Sequence, residues 1–300
     1  MDTACAAPAP PIFLFPSPAA LPIFAGLMAT IPLEDSFTDI LGKAQRGQKL
    51  ADEAAAKAAG VTVEELTRAK GGEIGDAILR KLATALGLGA DRLIASARKA
   101  WFPQPVQVQG LAQFNTVFED MTVNSYLAWH PQGREAVAFD TGADCRPMLD
   151  FAKSNNLQIK LILLTHTHID HIMALDALKA ATGATAHVCA LEPTPGAQPF
   201  ALPQVFKAGG ISIEARLTSG HAAGGITYVI SDLARPVAIV GDALFAGSMG
   251  GGQVSYSDAL ANNRKNIFTL PDNTVVCAGH GPLTTIGEEK IHNPFYPEFK

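Results

Sequence analysis

Three histidines and an aspartate crowd into the segment Thr165-His166-Thr167-His168-Ile169-Asp170-His171. Imidazole nitrogens and carboxylate oxygens at this density suit zinc or a similar first-row metal ion. His166 and His168 alternate, so an extended backbone projects both to one side. Asp170 and His171 begin an amphipathic stretch with Met173, Leu175 and Leu178, which places them at the start of a helix.

Such donors need a stiff support, and the chain supplies one. The apolar run Leu161-Ile162-Leu163-Leu164 just before them reads as a buried strand. The same arrangement recurs three times further on. Residues 211–217 alternate as a strand and lead into Thr218-Ser219-Gly220-His221. Val237-Ala238-Ile239-Val240 leads into Gly241-Asp242. Thr274-Val275-Val276-Cys277 leads into Ala278-Gly279-His280. Five of the eight histidines therefore follow apolar strands.

The remaining chain sorts into three parts. Residues 1–35 are rich in Pro and Ala. The apolar segment 11–27 within them lacks the basic start of a signal peptide, because the first Lys or Arg is Lys43, and four prolines interrupt it as a membrane span. It is expected to be a disordered leader, with Met28 an alternative start. Residues 36–100 read as short helices with Gly at the joints: Ser36 and Thr62 as caps, and Ile78, Leu79, Leu82 and Leu86 as one apolar stripe. From Trp101-Phe102-Pro103 onward the pattern turns to strands. Residues 106–109, 113–118, 125–130 and 136–140 are expected as strands, 145–153 as a helix and 158–164 as a strand, after which strands and helices alternate.

Composition sets the outer limits. Apolar residues at 48% and charged residues at 17% describe a globular protein with a large core. The net charge of -5 gives no reason to expect nucleic acid or an anionic membrane as partner. The four cysteines are scattered without a CxxC pair, which fits a reducing compartment and a cytoplasmic location.

Taken in order, THTHIDH at 165–171, SGH ending at His221, GDALF beginning at Gly241 and GHGP beginning at Gly279 resemble the motifs of the metallo-β-lactamase-fold hydrolases. Ser248-Met249-Gly250 and the tail from Thr284 to Phe295 bring the chain nearest to hydroxyacylglutathione hydrolase, a glyoxalase II-like enzyme. The resemblance implies an α/β fold, a four-layer αββα sandwich over 105–300, preceded by the small all-helical domain at 36–100. It also implies a ligand set. His166, His168 and His221 would hold one metal, and Asp170, His171 and His280 a second. Asp242 would bridge them, making Asp170 and Asp242 the candidate catalytic residues. The cofactor expected is two Zn2+ ions per chain, or Fe or Mn. Between two such ions a water has its pKa lowered from about 15.7 towards about 7, giving a nucleophile at neutral pH. Asp140, in Phe139-Asp140-Thr141-Gly142, reads either as the family's aspartate that orients a ligating imidazole or as a turn cap. His130, His187 and His292 are read as structural.

The implied function is metal-dependent hydrolysis of a thioester or other ester-like small molecule. The resemblance departs from the family at its substrate side. Only residues 281–300 follow His280, so the family's C-terminal helical domain is not expected, and Ala246–Gly252 replaces the Lys and Tyr that hold glutathione. A persulfide dioxygenase using one iron is the alternative within the fold, although Gly250-Gly251-Gly252 lacks that family's arginine. The glycine run itself suggests a flexible or closely approached loop. A DNA-binding regulator is the alternative outside the fold, because residues 77–94 resemble the last two helices of the lambda-repressor-like domain. Over 36–100, however, eleven basic residues face eight acidic ones. Glu64 and Glu65 stand in the recognition position, so DNA reading is not expected. Instead the helices are expected to shape the substrate entrance or a contact in a homo-oligomer.

Overall fold

The computed structural model describes residues 31–299, so the expected leader lies outside the described residues except for its last few positions. Ser36 opens the first helix through a reciprocal cap. Its hydroxyl accepts from the Asp39 amide at 3.4 Å, and the Asp39 carboxylate accepts from the Ser36 amide at 2.9 Å. Five helices follow: α1 (Phe37–Gly47), α2 (Asp52–Ala59), α3 (Val63–Lys70), α4 (Asp76–Ala85) and α5 (Ala90–Ala97). Thr62 caps α3 in the same reciprocal way as Ser36 caps α1.

Two sheets come next. The first contains β1 (Leu111–Phe118), β2 (Met121–Trp129), β3 (Glu135–Phe139), β4 (Gln158–Leu163), β5 (Thr185–Cys189) and β6 (Gln198–Phe200), side by side in that order. Helices α6 (Arg146–Ser154), α7 (Ile169–Ile172) and α8 (Leu175–Thr182) fall within its crossovers. The second sheet is built from β7 (Gln204–Ala208), β8 (Ile211–Leu217), β9 (Ile226–Ile230), β10 (Val237–Gly241), β11 (Val275–Ala278) and β12 (Thr284–Thr285), again in sequential order. Helix α9 (Tyr256–Asn266) connects β10 to β11, and α10 (Ile286–His292) follows β12. Pairing is antiparallel from β1 to β3 and parallel from β3 to β6. In the second sheet only β10 and β11 run parallel.

The sheets face each other across a core that includes Tyr126, Phe139, Leu163, Ile213, Tyr228 and Ile239. On the outside of the first sheet, Leu127, Ala138 and Ile162 pack with Met148 of α6 and Leu178 of α8. On the outside of the second, Val229, Ala238, Val240, Val276 and Ala278 share one cluster with Ile40, Leu41, Leu66, Leu79 and Leu93 of the N-terminal helices. These layers make the αββα sandwich. They explain why β10 and β11 are apolar throughout: such strands are buried on both faces. Residues 106–109, expected as a strand, are not one. Pro103 and Pro105 precede them, and Gly110 turns the chain at a φ of 91° before β1 begins. Among the described residues, no helix is long and apolar enough to cross a membrane.

Candidate metal centre

Each donor foreseen in the sequence follows the C-terminal end of a strand. His166 and His168 come after β4, with Asp170 and His171 in the single turn of α7. His221 comes after β8, Asp242 after β10 and His280 after β11. The strand ends converge, and the seven residues fall into two adjoining groups. His166, His168, His221 and Asp242 form one, and Asp170, His171 and His280 the other.

The nitrogen separations carry chemical information. His168 Nδ1 lies 3.1 Å from His166 Nε2 and 3.0 Å from His221 Nε2. A tetrahedral ion with bonds of about 2.0–2.1 Å has ligand–ligand edges of roughly 3.3 Å, close to these values. Asp242 reaches both groups: Oδ2 is 3.4 Å from His221 Nε2 and 3.4 Å from His280 Nε2, while Oδ1 is 3.3 Å from His171 Nε2. Asp170 Oδ2 lies 3.3 Å from the Nε2 atoms of both His171 and His280. By donor proximity Asp242 joins the first group, but these distances set it between the two.

Two buried atoms in the cluster, His171 Nε2 and Asp242 Oδ1, have no hydrogen-bond partner among the described residues. Leaving a buried polar atom unpaired is costly, and a cation between them answers both. The opposite nitrogens are occupied. His171 Nδ1–H donates to Asp140 Oδ2 at 2.9 Å, His221 Nδ1–H to the Gly251 carbonyl at 2.9 Å and His280 Nδ1–H to the Thr122 carbonyl at 2.7 Å. Each of these bonds fixes the tautomer that leaves Nε2 as a lone-pair donor. The residues present therefore fit a metal pair.

The electrostatics divide along the same line. Burial pushes His166 well below the usual imidazole range and lowers His221, so both are neutral donors. Burial also acts against the charged forms of His171 and His280. The Asp242 charge outweighs it, with help from Asp140 at His171 and Asp170 at His280, and raises them to about 10 and about 11. Asp242 itself is held well below the carboxylate range: burial raises it, but His171 and His280 overcome that. The carboxylates thus hold protons where a metal ion would otherwise supply the positive charge.

Asp140 is the orienting carboxylate rather than only a turn cap. Besides His171 it accepts from the Thr165 amide and the Thr165 hydroxyl, each at 2.7 Å. Its backbone φ of 55° lies in the left-handed region, which a non-glycine residue adopts at a cost. Other supports had no motif to reveal them. Glu192 accepts from the Thr167 amide and hydroxyl at 2.9 and 2.7 Å and from the Gly224 amide at 2.8 Å, tying the His168 loop to the His221 loop. Asn124 donates to the Ala278 and Gly281 carbonyls at 3.0 and 2.8 Å, and Tyr126 OH to Ala278 at 2.6 Å, which hold the His280 loop from the first sheet. A polar residue inside the buried run of β2 was the available signal for Asn124.

The glycines are required by close approach. A Cβ at Gly279 would lie 2.1 Å from Asp242 Oδ1, and one at Gly250 would lie 1.9 Å from the Asp242 carbonyl. The glycine run after Asp242 is therefore a closely approached loop. His130, His187 and His292 stand outside the cluster. His187 packs on Phe206 and His292 stacks on Trp101 with ring centroids 4.6 Å apart. Cys277 is fully buried between the sheets, and burial pushes its thiol up.

Known proteins resemble this chain. A sequence profile of the metallo-beta-lactamase superfamily matches residues 119–280. The hydroxyacylglutathione hydrolase GloC of Haemophilus influenzae is 29% identical, over 57% of this chain and 92% of its own length. Among solved structures, the BLEG-1 B3 metallo-beta-lactamase is 30% identical with a TM-score of 0.56, covering 62% of this chain and 99% of that one. TTHA1623, solved in a di-iron-bound form, is 26% identical with a TM-score of 0.52, covering 61% and 99%. With its strand-end histidines, its two facing sheets and a profile match over more than half its length, this chain belongs to the metallo-beta-lactamase superfamily.

Proposed function

We propose that the protein is a hydrolase of thioesters or related esters, working through two metal ions held by His166, His168, His221, Asp242, Asp170, His171 and His280. The observation that carries this reading is Asp242, whose carboxylate oxygens lie 3.3 to 3.4 Å from donors of both groups while Oδ1 has no hydrogen-bond partner among the described residues. The likeness to GloC supports the thioester class. When bound, the ions supply Lewis acidity toward the scissile carbonyl and a nucleophile at neutral pH.

The chain's own residues do the positioning. Asp140, Gly251 O and Thr122 O each hold one imidazole by its Nδ1–H, so the Nε2 atoms converge with the rings already oriented. Glu192 keeps the two loops of the first group in register. Asp170 and Asp242 supply the negative charge that draws cations into a buried site.

The N-terminal helices give no support to a DNA-reading role. Many of their charges are paired within the fold: Lys70 with Asp52, Arg80 with Asp91 and Arg98 with Asp76, while Arg92 donates to the carbonyls of Asn293 and Tyr296. The test is to purify the protein without chelator, measure metal per chain and screen thioesters, lactones, phosphodiesters and persulfides. Two ions per chain with thioester cleavage abolished by chelation is the expected result. A single iron with oxygen uptake on a persulfide would replace this reading with the dioxygenase.

A further inference from the structure

A cavity of about 1020 Å³ opens onto His221, Asp242 and His280. That is a volume fit for a ligand of metabolite size. Part of its lining comes from the end of α1 and the turn after it, which lie outside the segment matched to the superfamily. Three basic residues, Lys43, Arg46 and Lys49, recur there at intervals of three, so those within the helix share a face. They differ in their engagements. Lys43 is spoken for: it pairs with Asp35, donates to the Met249 carbonyl at 2.9 Å and lies over the Phe245 ring. Arg46 and Lys49 are exposed and enter no ion pair among the described residues.

Ser255, Tyr256 and Ser257 also line the cavity at the N-terminus of α9, where the Ser255 hydroxyl accepts from the Asp258 amide at 3.3 Å. The end of α1 and the start of α9 meet at Gly47, where an added Cβ would lie 2.4 Å from Tyr256 Cγ, so the aromatic ring seats directly on the end of α1. Beyond the donor set, Glu34 is the one acidic side chain among the described residues lining the cavity.

We infer that the substrate carries an anionic group, a carboxylate or a phosphate, set apart from the bond that is cleaved, and that Arg46 at the end of α1 and Lys49 just after it recognise it. This rests on the hydrolase reading for the position of the scissile bond. Guanidinium and ammonium together accept either anion, and Arg46 can grip a planar carboxylate or a phosphate with two N–H groups. Phe245, Tyr256 and Val254 supply apolar surface for the chain between the two ends.

Three acetyl thioesters that differ only in the thiol test the inference: those of 2-mercaptoethanol, 3-mercaptopropionate and 2-mercaptoethyl phosphate. Each is assayed with the full-length, metal-containing protein and with the double variant Arg46→Met/Lys49→Met, after metal content is shown to be equal. One anionic thioester should exceed the neutral one by about tenfold in kcat/KM, through KM, and the better of the two identifies the anion. That ratio should fall to about twofold or less in the variant, and should fall for the wild type when salt is raised. An unchanged ratio in the variant overturns the proposal. Calorimetric titration of both proteins with succinate and with inorganic phosphate separates the two readings. Binding weakened about tenfold by the double substitution upholds the anion site even if all three thioesters resist cleavage, a result that would count against the hydrolase alone. Equal binding by both proteins sinks the anion site.

Discussion

Replacing Asp140 by Asn removes a charge and one hydrogen-bond acceptor while keeping the shape, and the geometry says which metal should suffer. Asp140 accepts three hydrogen bonds, from the Thr165 amide, the Thr165 hydroxyl and His171 Nδ1–H. The substituted side-chain amide has one oxygen for two positions. If its NH2 faces His171, the imidazole must shift its proton to Nε2 and loses the lone pair aimed at the centre. If it faces Thr165, it meets an N–H donor. A hydrogen bond to a charged partner is worth about 1.5–3 kcal/mol, which at about 1.4 kcal/mol per decade is roughly 10–100-fold. That is also the usual cost of losing the partner behind a ligating histidine. The loss should fall on the ion held by Asp170, His171 and His280 and spare the one at His166, His168 and His221. Zinc-loaded Asp140→Asn dialysed against graded chelator, with metal per chain read by mass spectrometry, should release one ion about 10–100-fold more readily than wild type and the other unchanged. Release of both together, or retention of both, would refute the argument.

Asp242→Ala should be more damaging than Asp140→Ala, with both ions weakened and activity reduced beyond the roughly 100-fold ceiling expected for an orienting residue; equal losses in the two variants would show that Asp242 does not serve both groups. Glu192→Ala leaves three donors without their acceptor, so thermal unfolding should report a loss of about 1–3 kcal/mol, accompanied by weaker binding at the His166 group; an unshifted melting curve would deny Glu192 its clasping role. For metal-free protein, His171 and His280 hold protons up to about 10 and about 11, and an incoming metal must displace them, so titration should show apparent affinity rising with pH between 6 and 8, by about tenfold per unit for each proton released. The raised values also mean that the stability these two histidines give the metal-free chain is fully present below about pH 6.5 and is lost as pH rises through about 10 and about 11; denaturant midpoints that climb over that range would contradict the assignment.

The donor set was legible because each member sits just beyond a run of Val, Ile or Leu, and local sequence encodes both the strand and the chemistry at its end. The two sheets followed from the change of period near Trp101, and Ser36 and Thr62 announced the helix starts through their caps. What local sequence does not encode is which surfaces meet. Nothing around Glu192 distinguishes it from a loop carboxylate, since its three donors come from Thr167 and from Gly224, brought close only by folding. Residues 106–109 alternate like a strand, but among the described residues no strand pairs with them, and a β pattern without a partner does not make a β-strand. The packing of α1 beside the sheet is likewise a tertiary event. Its apolar stripe of Phe37, Ile40 and Leu41 shows that a face is buried, and it does not say against what.

The shared cluster of helices and second sheet bears on how the cavity can move. Val240 stands two residues before Asp242 and Ala278 two before His280, and both belong to the cluster that contains Ile40, Leu41 and Ala44 of α1. The cavity wall and the strands that deliver the donors are thus anchored in one block of close-packed side chains, which transmits strain and resists hinging. Swinging α1 away would uncover apolar surface on a scale comparable to partial unfolding. Gating by a swing of α1 is therefore not the natural mode here, and any wider opening on that side would be confined to rare sub-global fluctuations. In hydrogen exchange, the amides of α1 and of β10 should then respond to ligand together.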